Sequence, residues 1–440
     1  MEKKEKVFNK FLRRQVLIIG ILFAGDQIFG FFEQNYLNTY LDQVLNLAPL
    51  FISVMVILSA IMGLIWNLTW GIISDNTRSK FGRRRPYLLS GIIVGISMII
   101  FAFSLDLSGG DVMVAYTICI ILDVVIIGIA SNAYYVSERS LIPDTVELEL
   151  RGRANGRINI IGYLGLLIAI AAFLIADLIF GQEVAGETVI GQEGHLFVLS
   201  IGGVSIIIAG LIGFLFIKEK PVSELPPKKK FFVELKEIVN IEQLKSNKEL
   251  FKLILAITIF RSGISTVMPF LFIWIFALNL STIELLLGVA FGFPILFIIT
   301  AYLGKLADKY GRRKYIPISI IIICIGFFLA PFVKIGTEVN FILFIVALPF
   351  ILIGVLGIVT PMDTWSQDLL PKDQRGKFFG VFNIVYTISQ VIGAFVGGLV
   401  ATYFVIIGFV PESFVFVFGT IFFIGSIPLF LRVKETLVKK

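Results

Sequence analysis

Long apolar runs alternate with short polar segments along the whole chain. Each run has about 20 residues and few charges, which is the length of a helix that crosses the hydrocarbon core of a bilayer. A membrane β-barrel would instead show strict alternation in segments of about ten residues. The pattern therefore predicts an all-α membrane protein with twelve transmembrane helices. The predicted spans are 16–41, 49–73, 87–106, 112–137, 154–179, 196–217, 251–278, 283–304, 315–334, 339–362, 377–403 and 413–431.

The composition supports a membrane protein. Hydrophobic residues make up 57% of the 440 residues and charged residues 16%, whereas soluble domains average about 45–50% apolar and about 25% charged residues. The basic start, "MEKKEKVFNKFLRRQ", leads into a full-length span, so we expect a retained first helix rather than a cleaved signal peptide. Cys119 and Cys324 lie inside predicted spans, and we expect them to be packed apolar side chains rather than metal ligands.

Cationic side chains occupy alternate polar segments. The chain has 38 Lys and Arg residues. Only Arg261 and Lys334 lie outside the termini and the basic segments 74–86, 138–157, 218–252, 305–314 and 372–377, and Arg139, at the start of the second segment, lies in or near a predicted helix. This is the positive-inside pattern, which predicts a multi-pass protein of the cell membrane with both termini cytoplasmic. The net charge of +7 then reflects topology and attraction to anionic lipid, and we expect no nucleic-acid partner.

Two pairs of polar motifs recur at a shift of about half the chain. "GIISDNTRSKFGRRRP" follows the second span, and "GKLADKYGRRKY" follows the eighth. "LIPDTVELELRGRANG" joins spans 4 and 5, and "LLPKDQRGKFFG" joins spans 10 and 11. Recurrence at matching positions predicts two pseudo-symmetric six-helix bundles. We place them at 1–217 and 250–440, with a cytoplasmic linker at 218–249.

The linker begins with helix-breaking prolines and continues with apolar residues spaced among charges. This spacing predicts an amphipathic helix on the inner membrane surface, and a solvated charged linker is the alternative. The prolines are Pro221, Pro226 and Pro227, and the apolar residues are Phe232, Leu235, Val239 and Ile241.

The paired basic loops resemble the signature of the major facilitator superfamily, and this resemblance covers the whole chain. The first copy is similar to the loop of the glycoside–pentoside–hexuronide cation symporters, and most of all to that of the plant sucrose–proton symporters and their animal relatives. The resemblance implies the twelve-helix major facilitator fold and transport by alternating access.

These loops also supply candidates for a cytoplasmic gate. Asp75 and Asp308 each end a predicted span, where a carboxylate can meet the positive N-terminal end of a neighbouring helix. The arginines that follow can pair with acids on adjoining loops and stabilise an outward-facing state. Alternatively, they act only to determine which loops face the cytoplasm. The sequence leaves the pairing open. The arginines are Arg83, Arg84, Arg312 and Arg313, and the candidate acids are Asp144, Glu147, Asp368 and Asp373.

Acidic residues inside predicted spans are the candidates for proton coupling, because an ionisable group at mid-membrane costs at least about 2.5–3.5 kcal/mol. Asp26 and Glu33 lie seven residues apart and therefore share one helix face. Glu33 also resembles the first-helix glutamate of the animal sucrose-transporter relatives, and a dehydrated cavity favours its protonated form. Asp123 in span 4 is the third candidate. A structural hydrogen bond between helices is the alternative for each.

Polar side chains in the spans are candidates for substrate binding. The stretch "SNAYYVSERSLIPD" resembles the fourth helix of sucrose symporters. The residues here that match the functional positions of that helix are Asn132, Arg139 and Asp144. The five donors of Arg139 suit a carboxylate or sugar hydroxyls, although a gating ion pair is the rival role because Glu138 and Arg139 lie near the inner end of the span. The remaining substrate candidates are Gln34, Arg261, Asn383 and Gln390, with Asp363 a possible partner of Arg261.

Two observations concern the coupling ion. Melibiose-type sodium permeases carry two carboxylates on helix 2, and the matching positions here are Gly63 and Asn67. This difference favours protons over sodium and leaves uniport open. The only histidine, His195, falls in a predicted outer loop, so we expect it to be solvated and not to be the intramembrane proton switch.

Together these features favour a secondary active transporter for proton-coupled symport of a sugar, either a glycoside or a disaccharide. We expect no enzymatic activity, no cofactor beyond the coupling proton, and a functional monomer whose partners are the sugar and the bilayer. No phosphate-binding loop of the form Gly-x-x-x-x-Gly-Lys-Ser/Thr is present, so ATP-driven transport is not supported. Two alternatives are a major facilitator transporter of a lipid or drug-like substrate, and a non-transporting membrane sensor.

Overall fold

A computed structural model describes most of the chain. The described residues are 10–147, 150–219, 228, 230–238, 248–353, 362, 365–366, 369 and 378–436. The linker prolines, Val239, Ile241, Asp363, Asp368 and Asp373 lie outside them, and so does the side chain of Asp308.

The N-terminal half is built almost entirely of helices. A π-helical segment, Ile121–Ile127, connects α6 and α7 without a break. The helices are α1 (Lys10–Gln43), α2 (Pro49–Asn76), α3 (Arg85–Leu88), α4 (Ser90–Phe101), α5 (Ser104–Leu107), α6 (Val112–Ile120), α7 (Gly128–Thr145), α8 (Arg151–Phe180), α9 (Gly191–Phe216) and α10 (Phe231–Ile238). A hairpin of β1 (Gln182–Val184) and β2 (Glu187–Val189) separates α8 from α9.

The C-terminal half repeats this plan. Its helices are α11 (Lys248–Val267), α12 (Leu271–Ala277), α13 (Thr282–Tyr310), α14 (Arg312–Leu329), α15 (Phe341–Leu352), α16 (Phe378–Tyr403) and α17 (Phe414–Leu431). A second hairpin, of β3 (Lys334–Ile335) and β4 (Glu338–Val339), separates α14 from α15.

The helices confirm the prediction of an all-α membrane protein. Within the described ranges, nine helical stretches are long and apolar enough to cross a membrane, and three shorter apolar helices lie at Arg85–Phe101, Thr282–Leu296 and Phe341–Leu352. The three shorter helices coincide with the third, eighth and tenth predicted spans, and the nine long ones with the rest. The structure thus places a helix at each of the twelve predicted spans.

The chain forms two compact units. Unit 1 contains Met1–Asn46, Ile61–Gly181 and Ile190–Leu235, and unit 2 contains Leu47–Ala60, Gln182–Val189 and Lys236–Lys440. The first turns of α2 and the β1–β2 hairpin therefore pack with unit 2. The proposed boundaries of the two bundles and their linker stay a prediction, and helix α10 lies within that linker.

Small residues set the helix spacing in unit 1. Helix α1 packs against α8 and α9, and α4 packs against α9. A Cβ on Gly95 would collide with the carbonyl oxygen of Gly203 and the side chain of Ile207, so α4 and α9 are in backbone contact. Without a hydrophobic driving force between helices in lipid, close packing at small residues is a main source of helix association.

In unit 2, aromatic rings and small residues fill the core. Helix α11 packs against α16 and α17. Phe260 of α11 and Phe327 of α14 each lie with their ring centroids 4.9 Å from that of Phe423 on α17. Gly263 lies against the backbone of Gly419, which lets these helices approach closely enough for the rings to meet.

Lys334, the single cation of the predicted outer loops, has a structural role in unit 2. Its Nζ donates to the carbonyl oxygens of Gly186 (2.7 Å) and Ala277 (2.6 Å). Burial lowers the pKa of the Lys334 amine, and the nearby Glu187 and Glu183 carboxylates partly oppose this shift. The exception to the positive-inside pattern is therefore a buried lysine that joins the β1–β2 hairpin to α12.

Replacing Gly95 with alanine tests the contact between α4 and α9. Alanine favours a helix by about 1 kcal/mol over glycine, but forcing a methyl group into this contact costs about 1–3 kcal/mol. We expect Gly95→Ala to lower the midpoint of thermal unfolding in detergent. The matched control is Gly156→Ala on α8, where an added Cβ meets no atom within 4 Å and should be neutral or stabilising. Equal stability of the two variants would contradict close packing at Gly95.

Candidate functional site

The structure joins Asp26 of α1 to Arg139 of α7 inside unit 1. Nη2 of Arg139 lies 3.5 Å from Oδ2 of Asp26. The guanidinium carbon also lies 4.2 Å from the ring centroid of Phe23 and 4.9 Å from that of Tyr135. Phe23 precedes Asp26 by three residues and Tyr135 precedes Arg139 by four, so each ring shares a helix face with one member of the ion pair. A carboxylate and two ring faces together stabilise the guanidinium, whose side chain is 42% exposed in the structure.

The other two proton-coupling candidates belong to the same electrostatic group. Glu33 lies two turns beyond Asp26 on α1, and the carboxyls of both Asp123 and Asp26 interact with it electrostatically. Asp123 is 5% exposed and lies in the π-helical turn between α6 and α7. Wide π-helical turns are frequent at functional sites. Unit 1 thus brings Asp26, Glu33 and Asp123 together, and their role in proton coupling stays a prediction.

A glycine, Gly63, and an amide side chain, Asn67, occupy the positions where a family-type sodium site would carry carboxylates. Nδ2 of Asn67 donates to Oδ1 of Asn132 over 3.4 Å, and Nδ2 of Asn132 donates to the carbonyl oxygen of Gly128 at 2.8 Å. Gly63 faces the same amide, since a Cβ built there would lie 3.9 Å from Nδ2 of Asn132. Gln34 is exposed on α1. This part of unit 1 offers neutral hydrogen-bonding groups and no carboxylate at either helix-2 position.

In unit 2, Arg261 of α11 lies against the face of Tyr386 on α16, with its guanidinium carbon 3.7 Å from the ring centroid. Asn383 precedes Tyr386 by three residues, on the same part of α16. Gln390, one turn beyond, is exposed. The structure therefore brings Arg261 close to the helix that carries Asn383 and Gln390. Their assignment to substrate binding stays a prediction.

The basic loop after α2 forms a compact ion-pair network. Arg83 donates to both oxygens of Asp144, at 2.5 Å from Nη2 and 3.2 Å from Nε. Arg84 is 4% exposed and contacts Asp75 and Ser74, with its Nε 3.4 Å from Asp144. The structure thus selects Asp144 and Asp75 as the partners that the sequence left open. Four predicted gate residues meet in unit 1, and their gating role stays a prediction.

Glu219, which the sequence analysis missed, caps the same loop. Its carboxylate accepts the backbone N–H groups of Arg83 (2.9 Å), Arg84 (3.0 Å) and Arg85 (2.7 Å). Gly82 precedes these residues with a φ of 110°, a conformation that glycine adopts at little cost. Matching acidic with basic side chains in the sequence does not reveal this contact, because its donors are backbone N–H groups.

Unit 2 contains an equivalent carboxylate. Glu435 accepts the backbone N–H of Arg313 at 2.9 Å and lies against Gly311, whose φ is 98°. Arg312 is buried at the start of α14. Glu219 and Glu435 each follow a Lys directly after the last span of their half, in "IKE" and "VKE". This third internal repeat is the signal that would have located both residues.

The prediction that His195 is solvated was wrong. Helix α9 begins at Gly191 rather than near 196, so His195 lies inside its first turns and is 0% exposed. Its Nε2 lies 3.0 Å from Oγ1 of Thr39, and its Nδ1 lies 2.6 Å from the carbonyl oxygen of Gly191. Tyr36 and Tyr40 pack against the ring. Both ring nitrogens are engaged, so His195 serves the packing of α1 against α9.

A family model describes nearly the whole chain. The model of the Major Facilitator Superfamily matches residues 16–394 and 276–440. The chain belongs to the Major Facilitator Superfamily and is a multi-pass membrane protein.

Known proteins resemble the chain in fold and, over shorter stretches, in sequence. "Sucrose transport protein SUT3" of Oryza sativa subsp. indica is 38% identical over 92 residues, which is 21% of this chain and 18% of that protein. "General alpha-glucoside permease" of Schizosaccharomyces pombe is 28% identical over 163 residues, or 34% of this chain and 29% of that protein. The chain therefore spans less than a third of the length of these relatives. The crystal structure of a D-xylose-proton symporter superposes with a TM-score of 0.69 and 14% identity, covering 97% of this chain and 99% of that one. At this identity the likeness shows the fold alone.

Substituting Glu219 tests the carboxylate cap. Hydrogen bonds to charged groups contribute about 1.5–3 kcal/mol, and about 1.4 kcal/mol corresponds to a factor of ten. We therefore expect Glu219→Ala to speed hydrogen exchange at the amides of Arg83, Arg84 and Arg85 by roughly tenfold or more. Lys218→Ala is the control, since its side chain is exposed. Unchanged exchange in Glu219→Ala would refute the cap.

Proposed function

We propose that the chain is a secondary active transporter that carries a sugar, of the glycoside or disaccharide class, together with protons by alternating access. Its place is the cell membrane, with both termini cytoplasmic. The observation that carries the proposal is the Asp26–Arg139 pair inside a unit of a Major Facilitator Superfamily chain, with Glu33 and Asp123 in electrostatic reach. Charged groups inside membrane spans mark ion and substrate pathways by default.

Protons are the favoured coupling ion because the carboxyls have the setting that proton exchange requires. Glu33 interacts electrostatically with both Asp123 and Asp26, and Asp26 also pairs with the guanidinium of Arg139, so the charge of Glu33 depends on its two acidic neighbours. A sodium site of the melibiose-permease type would require carboxylates near Gly63 and Asn67. The amide pair between Asn67 and Asn132 offers weaker ligands for sodium.

A hydroxylated substrate suits the neutral and cationic donors that unit 1 carries on α1 and α7. Asn132, Gln34 and Arg139 offer amide and guanidinium hydrogen bonds, and Phe23 and Tyr135 offer ring faces. The names of two relatives, a sucrose transport protein and an alpha-glucoside permease, point to the same substrate class. A lipid carrier would need a largely apolar path instead.

Flux measurements in liposomes test the proposal directly. The purified protein is reconstituted, and uptake of labelled glucosides and disaccharides is followed with and without an inward proton gradient. The proposal requires accumulation of a sugar that depends on the gradient. Sugar flux that ignores the gradient would exclude symport, and absence of any sugar flux would favour the lipid or drug-like alternative.

Glu33→Gln separates coupling from substrate movement. Glutamine retains the shape but cannot exchange a proton, so we expect gradient-driven accumulation to fall to the level seen without a gradient. Exchange of internal for external substrate should survive, because it needs no net proton movement. Glu193→Gln, an exposed acid at the start of α9, is the control and should behave as wild type. Undiminished accumulation in Glu33→Gln would show that Glu33 is not the carrier.

A further inference from the structure

Glu138 is a second carboxyl next to the charged pair of unit 1, and the pathway proposed above does not use it. Its side chain is 0% exposed. Neither carboxyl oxygen has a hydrogen-bond partner among the described residues. It lies on the buried face of α7, together with Ala130, Tyr134 and Leu141.

Among the residues that the structure describes, one cation acts on Glu138. The charged groups that act on it are Asp26 from α1 and Arg139 from its own helix. Tyr134, one turn earlier, is a further titratable neighbour, and its hydroxyl donates to the carbonyl oxygen of Leu22 on α1 at 3.5 Å. Helices α4 and α9 pack against Tyr134 through Gly91 and Gly210, which carry no charge.

The carboxyls of Asp26 and Glu138 therefore both interact electrostatically with the guanidinium of Arg139. In this structure Asp26 is the partner of Arg139, with Oδ2 of Asp26 3.5 Å from Nη2 of Arg139. An ionised carboxylate buried without a hydrogen bond is strongly unfavourable, whereas a neutral carboxylic acid is tolerated there at lower cost. The arrangement thus fits an ionised Asp26 beside Arg139 and a neutral Glu138.

We propose that Glu138 is a proton-binding residue of the transport cycle and exchanges with Asp26 as the partner of Arg139. In the exchange, Asp26 takes a proton from one side of the membrane and leaves the guanidinium. Glu138 releases its proton to the other side and becomes the ionised partner. One proton is bound and one is released, and the net charge of the three groups is the same before and after. This inference rests on the proposed proton coupling and adds a residue to it.

A purely structural role for Glu138 makes a different prediction. If Glu138 is a neutral packing residue, it keeps its proton when the charge of Asp26 is removed. If the two carboxyls exchange, removing the charge of Asp26 leaves Arg139 available and ionises Glu138. The substitution Asp26→Asn therefore distinguishes the two roles without measuring transport.

Infrared spectroscopy of the full-length protein in liposomes provides the readout. A carboxylic acid without a hydrogen bond gives a C=O stretching band that is separate from those of carboxylates and amides. We expect this band in wild type near neutral pH, its loss in Glu138→Gln, and its loss in Asp26→Asn. Glu338→Gln, an exposed acid in the β3–β4 hairpin, is the control and should retain the band. Glu138→Asp should restore a band at a shifted position.

Each outcome decides the proposal. Absence of the band in wild type, or a spectrum of Glu138→Gln that is identical to that of wild type in this region, would show that Glu138 holds no proton. Persistence in Asp26→Asn would show that the two carboxyls do not exchange. Because no sugar is present, these results are independent of the proposed function. Conversely, a wild-type protein with the expected bands but no gradient-driven sugar accumulation would overturn the function and leave the exchange intact.

Discussion

A charge inside a membrane span has to be neutralised by a partner or a proton, and this constraint organises unit 1. Helix α1 is the centre of that unit and packs against α7, α8 and α9. It carries Asp26 and Glu33, and α7 supplies Arg139 and Glu138. The guanidinium of Arg139 is the one cation of this cluster among the described residues, so it determines which acids can be ionised together.

The same constraint is met differently in the basic loops. There the cations are plentiful, and carboxylates bind both side chains and backbone. Asp144 and Asp75 neutralise Arg83 and Arg84, whereas Glu219 binds three consecutive backbone N–H groups. Glu435 repeats the backbone contact in unit 2. Contacts of this kind are well defined in one geometry and are lost when the loop moves away from the end of the helix, which suits a protein with discrete states.

Much of the fold could be predicted because the bilayer restricts the secondary structure and the charge distribution of a chain that crosses it. The spans follow from hydropathy, the basic loops from the distribution of charge, and the half-chain repeat from the recurring motifs. The side-chain partners could not be predicted, because residues far apart in sequence meet through helix packing. Asp26 and Arg139 were each candidates, but nothing in the sequence joined them. The π-helical turn at Ile121–Ile127 shifts the face on which Asp123 lies, and this shift has no sequence signal. The prediction that His195 lies in a solvated loop was wrong because α9 begins earlier than expected, within a polar stretch that resembles a loop in composition.

The most direct test of this account compares the unfolding free energy of Arg139→Gln with that of Arg139→Gln/Asp26→Asn. The single substitution leaves the carboxyl of Asp26 without its cation, whereas the double substitution removes both charges. We predict that the double variant is more stable than the single one by on the order of 1–3 kcal/mol, the range found for directly coupled residues. A double variant that is as unstable as the single one, or less stable, would contradict the claim that this ion pair holds a charge within the membrane span.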